Sequence, residues 1–390
     1  MEEWKTDILE NLLDALIDYR GKTPRKTAYG VPLVTAKIIK GGSILPYEEY
    51  IAEEDYDAWM VRGFPQPGDV VMTTEAPLGE AAVLDNRKVA LAQRVVTLRG
   101  KQGILDSTYL KYFLQSAIGQ SRLSARETGT TVTGIKQSEL RKVDISYPSF
   151  QTQRRISAIL KSLDDKIALN NRINHNLEEQ AQALYKSWFV DFEPFKDGNF
   201  VESELGMIPE GWQVKNLLEI SQLFDSKRKP LSGKERDQMS KIYPYYGATS
   251  IMDYVDSYIF DGTYLLMGED GSVMTDDGYP FLQYVTGKFW PNNHAHVLQG
   301  NNGFSTEMLH CALLRKVVKS SVTGAVQAKI SQANMKKILF PCPPSVNLKD
   351  FDCQLQTIYC QKRNIEAQNA DLALLRDSML PMLMSGQITC

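Results

Sequence analysis

His294 and His296 are the residues whose chemistry and spacing come nearest to a metal site. They are two of only four histidines in a chain of 390 residues. Imidazole is a common zinc ligand, and residues two apart on a strand present their side chains to the same face. No third ligand is evident nearby, so we expect no metal and predict hydrogen-bonding roles for both rings in a groove or in the core.

A loop rich in Gly and Thr, at residues 129–134, is the second stretch with recognisable chemistry. It leads into a helix start at residue 138, and the backbone N–H groups of such a loop can bind a phosphate. An ordinary turn is the alternative. The loop recurs at residues 324–329, where it ends in a lysine, and this repetition favours phosphate binding.

Catalytic motifs are absent from the sequence. Residues 21–23, Gly-Lys-Thr, lack the upstream glycine of a P-loop, and no Gly-x-Gly-x-x-Gly occurs. Residues 342–345, Cys-Pro-Pro-Ser, lack both the amide and the aromatic ring that amino-methylation needs, and there is no Gly-x-Ser-x-Gly or His-Glu-x-x-His. We therefore expect that this chain makes and breaks no covalent bonds itself.

Basic residues are unevenly distributed along the chain. The net charge is −3, whereas a nucleic-acid-binding domain usually has a pI above ~9. Residues 85–142 nevertheless carry eleven Lys or Arg against four acids, and Lys227, Arg228 and Lys229 form a second basic cluster. A basic run is often only a solvated face, but one in each half of the chain favours contact with an anionic partner.

The cysteine content and the hydropathy of the sequence indicate the cellular compartment. All cysteines lie in the second half without a Cys-x-x-Cys pair, at Cys311, Cys342, Cys353, Cys360 and Cys390. This pattern predicts reduced thiols, not a disulfide framework or a zinc site. The N-terminus is acidic and no run of 18 apolar residues occurs, so we expect a cytoplasmic protein that neither spans a membrane nor is exported.

A long helical run at residues 152–188 is the element around which these residues are arranged. It contains no Gly or Pro and would form a rod of about 55 Å. Two apolar stripes with a step of seven predict a coiled-coil seam. The stripes are Ile156, Leu163, Asn170, Leu177 and Leu184, and Leu160, Ile167, Asn174, Ala181 and Trp188.

The same two stripes recur 195 residues later, near the C-terminus. They are Phe351, Ile358, Ile365, Leu372 and Met379, and Leu355, Lys362, Asn369, Arg376 and Leu383. Lys362 and Arg376 interrupt the second stripe, but Asn174 is matched by Asn369, and a polar layer of this kind fixes register. Two unrelated amphipathic helices, each packing on its own domain, are the alternative. Matched lengths and stripes favour helices that pack on each other.

The repeat extends beyond the helices, so the chain is a tandem duplication of a globule and a long helix. Residues 129–143 align with 324–338 at the same offset, and Trp4 and Pro24 correspond to Trp212 and Pro230. Residues 31–35, 69–74 and 89–98 are predicted strands and residues 109–117 a helix. Each globule is therefore α+β, and the aromatic block at residues 243–290 is predicted to be mainly core β-structure.

Two phrases make the chain resemble a known family. Residues 184–195 read Leu-Tyr-Lys-Ser-Trp-Phe-Val-Asp-Phe-Glu-Pro-Phe, and residues 204–212 read Glu-Leu-Gly-Met-Ile-Pro-Glu-Gly-Trp. Together with the alternating globules and helices, they resemble the DNA-specificity (S) subunits of type I restriction-modification systems over nearly the whole chain. The resemblance implies target recognition domains at residues 1–150 and 204–345, with helical spacers at 151–203 and 346–390 that pair as antiparallel helices.

What the resemblance implies about function is a non-catalytic subunit that binds double-stranded DNA. Each recognition domain would read one half of a bipartite asymmetric site. Methyltransferase subunits, typically two, would bring S-adenosylmethionine and adenine-N6 chemistry, and motor-nuclease subunits with ATP and Mg²⁺ would join for restriction. This chain would hold no cofactor of its own.

Loop chemistry and the repeat suggest which residues contact DNA. Most are basic residues expected at phosphate, with Thr130 and Thr131 in the Gly/Thr loop: Lys22, Arg25, Lys26, Arg126, Lys136, Lys227, Arg228, Lys229 and Lys329. Four others are expected nearer base edges: Arg94, Gln283, His294 and Gln327. Two other functions remain open, a duplicated coiled-coil scaffold that binds only proteins and a self-contained methyltransferase or nuclease.

Overall fold

The computed structural model describes residues 3–19, 23–129, 133–324, 327–344 and 348–388. The chain forms two compact units, the first of Met1–Asn170 with Gln368–Cys390 and the second of Asn171–Ala367. Each unit therefore contains one globule and a part of each long helix. The domain boundaries at residues 150, 203 and 345 stay predictions.

The first unit is built on a four-stranded antiparallel sheet in the order β2-β10-β7-β8, with a three-stranded sheet β6-β3-β9 and the pairs β1-β11 and β4-β5. The strands are β1 Lys5–Ile8, β2 Leu13–Asp18, β3 Val31–Val34, β4 Ile39–Lys40, β5 Ser43–Ile44, β6 Tyr50–Ile51, β7 Val70–Thr74, β8 Leu78–Val83, β9 Ala90–Leu91, β10 Val95–Gly100 and β11 Asp144–Tyr147. The helices are α1 Leu9–Leu12, α2 Tyr56–Trp59, α3 Ser107–Gln115, α4 Ala117–Ser124, α5 Gln137–Leu140 and α6 Phe150–Phe189, which continues into the second unit.

Alternating side chains of β7 explain why the first unit has two apolar cores. Val70 and Met72 join the core formed with α3, whereas Val71 joins the core formed with the three-stranded sheet. A strand directs successive side chains to opposite faces, and both faces of this strand are covered. Full burial of such a side chain stabilises the fold by about 1.5–3 kcal/mol.

The predicted strand at residues 89–98 is wrong in its middle. The structure divides it into β9 and β10, and Arg94 between them has φ 70°. A left-handed backbone at a residue other than glycine is uncommon and breaks the extended ladder. The predicted strand at 69–74 and the predicted helix at 109–117 are confirmed as β7 and α3.

The second unit is built on a six-stranded sheet in the order β15-β20-β18-β19-β16-β17, with the pairs β12-β13 and β14-β21. Its strands are β12 Phe200–Ser203, β13 Gly206–Pro209, β14 Gln213–Asn216, β15 Ser221–Leu223, β16 Tyr243–Tyr246, β17 Ile251–Val255, β18 Phe260–Gly268, β19 Leu282–Pro291, β20 Ala295–Gly300 and β21 Leu339–Cys342. Its helices are α7 Leu217–Ile220, α8 Gly233–Asp237, α9 Thr306–Leu314, α10 Gln332–Met335 and α11 Leu348–Met384, which continues into the first unit. The aromatic block is confirmed as β-structure, because it forms β16 to β19.

In the first unit, the two long helices run antiparallel. The Asn170 side chain donates to Gln368 Oε1 and Asn369 Oδ1, both at 2.8 Å. Further toward the start of α6, Asp164 accepts from Arg376 at 3.0 Å. Arg376, which interrupts the apolar stripe in the sequence, therefore forms an ion pair between the helices.

The helices are also antiparallel within the second unit. Lys362 lies 2.6 Å from Glu178, so the second interruption of the stripe is also an ion pair. Toward the end of α6, Tyr185 and Phe189 are buried and contact the ring of Phe351. A straight α-helix drifts by ~20° per heptad against a step of seven, which is why these residues are buried more fully than Leu184 and Trp188, only half-buried.

The side chains of the predicted seam are buried or half-buried throughout. The buried ones are Ile156, Leu160, Asn170, Asn174, Leu177, Ala181, Phe351, Leu355 and Leu383, and the half-buried ones are Leu163, Ile167, Leu184, Trp188, Ile358, Lys362, Ile365, Asn369, Leu372, Arg376 and Met379. Asn174 differs from Asn170, because its Oδ1 is buried without a hydrogen-bond partner. None of the helices described in the structure is long and apolar enough to cross a membrane.

Stability of the second unit is expected to depend on pH through His310. This ring is buried between α9 and α11 with its Nδ1 2.7 Å from Tyr359 Oη, and burial lowers its pKa to about 3. An unfolded histidine titrates near ~6.5. The unfolded chain therefore binds a proton at this histidine at a pH where the folded chain does not. The full contribution to the free energy of unfolding is present above the unfolded pKa, and roughly 2 kcal/mol of it is lost between pH 7 and pH 5.

Denaturant unfolding at the two pH values measures this effect. His310→Gln should lose clearly less stability on acidification than the wild type. His175→Gln, which replaces a histidine that is 74% exposed, is the matched control and should keep the full loss. An equal loss in all three proteins would contradict the assignment to His310.

Candidate nucleic-acid interface

Three segments of the first unit meet at one end of its four-stranded sheet. The amide of Thr74, at the end of β7, donates to the carbonyl of Arg94 at 2.9 Å, and the amide of Ile135 donates to the carbonyl of Thr74 at 2.9 Å. Gly134 and Glu75 also form an isolated antiparallel β-bridge through their backbones. The turn before β10 and the segment after the Gly/Thr loop are thus held beside the end of β7.

The second unit repeats this arrangement at the equivalent positions. The amide of Glu269 donates to the carbonyl of His294 at 2.8 Å, and that of Ile330 to the carbonyl of Glu269 at 2.9 Å. Asp270 bridges Lys329. Thr74 and Glu269, and Gly134 and Lys329, are each separated by the 195 residues of the sequence repeat, so the same backbone framework positions both sheet ends.

Each framework carries an acidic and a basic side chain that pair at equivalent surface positions. In the first unit, Arg94 Nε lies 2.6 Å from Glu75 Oε1. In the second, His294 Nδ1 contacts Asp270 Oδ1. Arg94 and His294, two of the residues predicted near base edges, therefore occupy equivalent positions, although the sequence prediction treated them separately.

Other predicted phosphate contacts of the first unit lie around this sheet end. Lys26 and Arg94 line a concavity of about 270 Å³ together with Lys37, a basic residue that the sequence prediction missed. Lys26 pairs with Glu49 at 2.8 Å, and Arg126 lies 3.5 Å from Glu139. Arg25 and Lys136 are exposed and form no ion pair with a described residue. Lys22, Thr130 and Thr131 lie outside the described residues, as does Cys390.

In the second unit, the phosphate contact of Arg228 stays a prediction, but the structure places its side chain in contacts within the fold. The side chain is only 12% exposed and pairs with Glu269 at 2.6 Å and with Asp225 at 3.4 Å. It also donates to the carbonyl of Ala295 at 2.7 Å. A guanidinium that is buried and bonded in this way cannot turn to a phosphate without giving up both ion pairs and its hydrogen bond to Ala295.

Gln283 is also committed within the fold. Its amide donates to the carbonyl of Gly247 at 3.0 Å and holds the loop between β16 and β17. The prediction that this amide reads a base edge therefore requires it to give up an internal hydrogen bond. The other predicted residues of this sheet end are accessible: Lys227, Lys229, Gln327 and, at half exposure, His294 and Lys329.

His294 and His296 do not share one face as predicted, because His294 precedes β20 and is half-exposed whereas His296 is 1% exposed. His296 Nδ1 lies 2.6 Å from Asp225 Oδ2, and Nε2 lies 2.7 Å from the carbonyl of Ile330. Asp225 and Glu269 come within 4.8 Å of His296, so two carboxylates that the sequence did not predict as ligands lie near this ring. Both are already paired with Arg228.

Burial by itself raises the pKa of Asp225, but the hydrogen bond and charge of His296 bring it below the ordinary value. Asp225 is therefore an ionised carboxylate in a buried site. The network around Asp225 joins the turn at Asp225–Lys227 to β20 and to Ile330, which follows the second Gly-containing loop at residues 324–329. The accessible residues Lys227 and Lys229 flank Arg228, which belongs to this network.

The sequence prediction missed every carboxylate of this interface. Glu75, Asp225, Glu269 and Asp270 give no sign of DNA contact in the sequence, because an anionic partner attracts basic and hydrogen-bonding side chains. One signal was available, since Glu75 and Asp270 are separated by the repeat offset of 195 residues and are both acidic.

A duplicated α+β unit with equivalent accessible loops at one end of each sheet defines a two-part recognition protein. The chain belongs to the family of type I restriction modification DNA specificity domains, whose model matches residues 1–179 and 209–366. The resemblance inferred from the sequence is thereby confirmed.

Individual relatives support the same assignment. The type I restriction enzyme MjaIX specificity subunit of Methanocaldococcus jannaschii is 29% identical over 364 residues, which cover 87% of this chain and 82% of the relative. The type I restriction enzyme HindI specificity subunit of Haemophilus influenzae is 28% identical over 386 residues, covering 78% and 82%. The crystal structure of a type I restriction-modification S subunit from M. genitalium has a TM-score of 0.58 at 18% identity and covers 98% of this chain and 96% of that one. Its likeness confirms the predicted fold class.

Proposed function

We propose that this chain is the DNA-recognition subunit of a type I restriction-modification complex, in which each unit reads one half of a bipartite asymmetric target. The observation that carries this proposal is the repeated framework at the two sheet ends. It presents Arg94 in one unit and His294 in the other from equivalent backbone positions. Two equivalent surfaces on one chain suit two half-sites, and different side chains on them suit two different sequences.

Phosphate binding is shared with other subunits in this proposal. The net charge is −3, and Lys26, Arg126 and Lys329 are each paired with a carboxylate. Three of the predicted phosphate contacts are thus partly neutralised within the chain, whereas phosphate contacts supply most of the non-specific affinity of DNA-binding proteins. Partner subunits would add the rest.

The partners in this proposal are two methyltransferase subunits and, for restriction, motor-nuclease subunits, all in the cytoplasm. The methyltransferase subunits would bring S-adenosylmethionine, and the motor-nuclease subunits ATP and Mg²⁺. This chain would contribute recognition and no bond-making step. The paired long helices would fix the gap between the two half-sites, because a packed helix pair resists bending and compression more than a loop would.

Mapping methylated adenines in DNA exposed to the assembled complex tests the proposal. We expect two short specified sequences separated by an unspecified gap of fixed length. Methylation at one uninterrupted site would contradict the proposal that each unit reads one half of the target. A complex that assembles but never selects a DNA sequence would favour a scaffold that binds only proteins.

Loss of lysines at the sheet ends is expected to weaken DNA binding uniformly across sequences. Lys136 and Lys229 are exposed, without an ion pair to a described residue. Changing both to alanine should reduce the slope of log affinity against log salt by about 1.8, at ~0.9 for each lost phosphate contact. Fluorescence anisotropy at several salt concentrations measures the slope.

The matched control is Lys161→Ala, which removes an exposed lysine of α6 that pairs with Asp165. Its slope should equal that of the wild type. A slope in the double variant that also equals the wild type would exclude Lys136 and Lys229 from the DNA interface.

A further inference from the structure

The pairs Glu75–Arg94 and Asp270–His294 occupy the same place in both units, which is unexpected for surface ion pairs. Glu75 and Asp270 each follow the end of a strand and bridge the segment after the Gly-containing loop. Arg94 and His294 each accept a backbone hydrogen bond from the residue before that acid. The base differs between the units, but the carboxylate and the geometry recur.

Stability does not account for these pairs. The side chains of Arg94 and Glu75 are 58% and 33% exposed, and those of His294 and Asp270 are 45% and 19% exposed. Ion pairs this accessible add little to the stability of a fold. Arg94 moreover has φ 70°, an unfavourable backbone for arginine, and strain of this kind is typical of functional positions.

Each of these two ion pairs leaves part of the basic side chain without a described partner. Glu75 contacts Arg94 at Nε, so the two terminal nitrogens of the guanidinium remain available. Asp270 contacts His294 at Nδ1, so Nε2 remains available. A guanidinium fork that is free to turn binds any phosphate, whereas a fork held in one orientation can read the two acceptors on guanine.

We propose that Glu75 and Asp270 are equivalent positioning residues that aim the side chains of Arg94 and His294 at the edges of DNA bases. Each carboxylate also repels phosphate, which keeps the basic side chain beside it away from the DNA backbone. The inference rests on the proposed function and names the residues that set its specificity. Because each carboxylate sits in its own unit, each governs discrimination in one half-site only.

Selection of bound DNA from a random-sequence library tests this inference, with the full chain assembled with its methyltransferase subunits. Glu75→Gln should relax preference at one or more base positions of a single half-site by about 5- to 150-fold. The other half-site should be unchanged, and Asp270→Asn should show the converse. For DNA without the target, the slope of log affinity against log salt should become steeper by about 0.9, because the released basic side chain then binds phosphate.

A double-mutant cycle separates positioning from the general effect of removing a negative charge. In a chain that already carries Arg94→Met, Glu75→Gln should cause no further loss of base preference. Glu75→Asp, which retains the carboxylate, should restore part of the preference. Glu10→Gln is the matched control, since Glu10 forms an exposed pair with Arg141 away from the sheet end, and it should leave the selected sequence unchanged.

Unchanged base preference in Glu75→Gln and Asp270→Asn would overturn this inference, and so would equal relaxation with and without Arg94. The proposed function would still stand in those cases, provided that the wild-type complex selects a two-part site. Absence of any selected sequence with the wild type would instead reject the proposed function.

Discussion

Replacement of Asp225 by alanine is expected to lower the free energy of unfolding of the second unit by about 3–5 kcal/mol. The carboxylate is 6% exposed and accepts from the amide of Val297 at 3.0 Å and from Gln332 at 3.1 Å. It also pairs with His296 and Arg228. Its removal takes the acceptor from His296 Nδ1 and from the Val297 amide and leaves Arg228 with only one of its two carboxylates, Glu269. Buried polar groups without a partner are costly.

Hydrogen exchange measures this loss unit by unit. Amides of β18 and β20 should exchange faster in Asp225→Ala, whereas those of β7 and β10 in the first unit should not change. The control is Asp261→Asn on β18, which alters an exposed carboxylate and should stay within ~0.5 kcal/mol of the wild type. Full protection of β20 in Asp225→Ala would contradict the role assigned to this network.

A functional consequence accompanies the loss of stability. The Asp225 network ties the turn that carries Lys227 to β20 and to Ile330 beside Lys329. We therefore expect Asp225→Ala to lose discrimination in one half of the DNA target while the other half is still read. Equal loss in both halves would show that the two units do not recognise DNA independently.

Replacement of Asp164 by alanine is expected to destabilise the first unit by about 3 kcal/mol. Asp164 joins three elements: it pairs with Lys111 of α3 at 2.9 Å, accepts from Tyr112 at 2.6 Å and pairs with Arg376 of α11 at 3.0 Å. Lys111 is only 5% exposed, and burial lowers its pKa. Without Asp164, this ammonium would be buried with no carboxylate, although partial exposure of the site tempers the cost.

Unfolding of single and double variants in denaturant tests this assignment. The double variant Lys111→Met with Asp164→Leu should regain most of the lost stability, because apolar replacement of a buried pair is often neutral. Asp165→Ala is the control, since it removes the neighbouring carboxylate, which is 62% exposed. If the double variant were as unstable as Asp164→Ala alone, the cost would not come from the unpaired lysine.

The long helices and the duplication are predictable because their signal is periodic. The stripes step by seven along a run without Gly or Pro, and the second set follows the first at a fixed offset. Residues such as Asn170 and Asn369, both in these stripes, therefore fall at the helix contact. The drift of burial from Leu184 to Tyr185 was not predicted, since it depends on the true pitch of the helix.

The interface residues were less predictable, because pairing across a sheet depends on register and turn geometry. Arg228 and Lys229 are neighbours in one basic run, yet the first is buried against Glu269 and the second is exposed. Asp225 lies only three residues before Arg228, but the carboxylate nearest to Arg228, that of Glu269, lies 41 residues away, and no local pattern reveals it. Arg94 likewise falls within an apparent strand that its own backbone interrupts.

The hydrogen bonds shared by the two units mark where such a chain tolerates changes of length. Leu9 bonds to Val143 as Leu217 bonds to Ile338, and Lys101 bonds to Leu12 as Asn301 bonds to Ile220. The numbering offset between equivalent residues differs among these pairs, so insertions and deletions have accumulated in the segments between them without disturbing the bonds themselves. A graft of foreign segments onto this scaffold would accordingly have its natural joints at these four bonds.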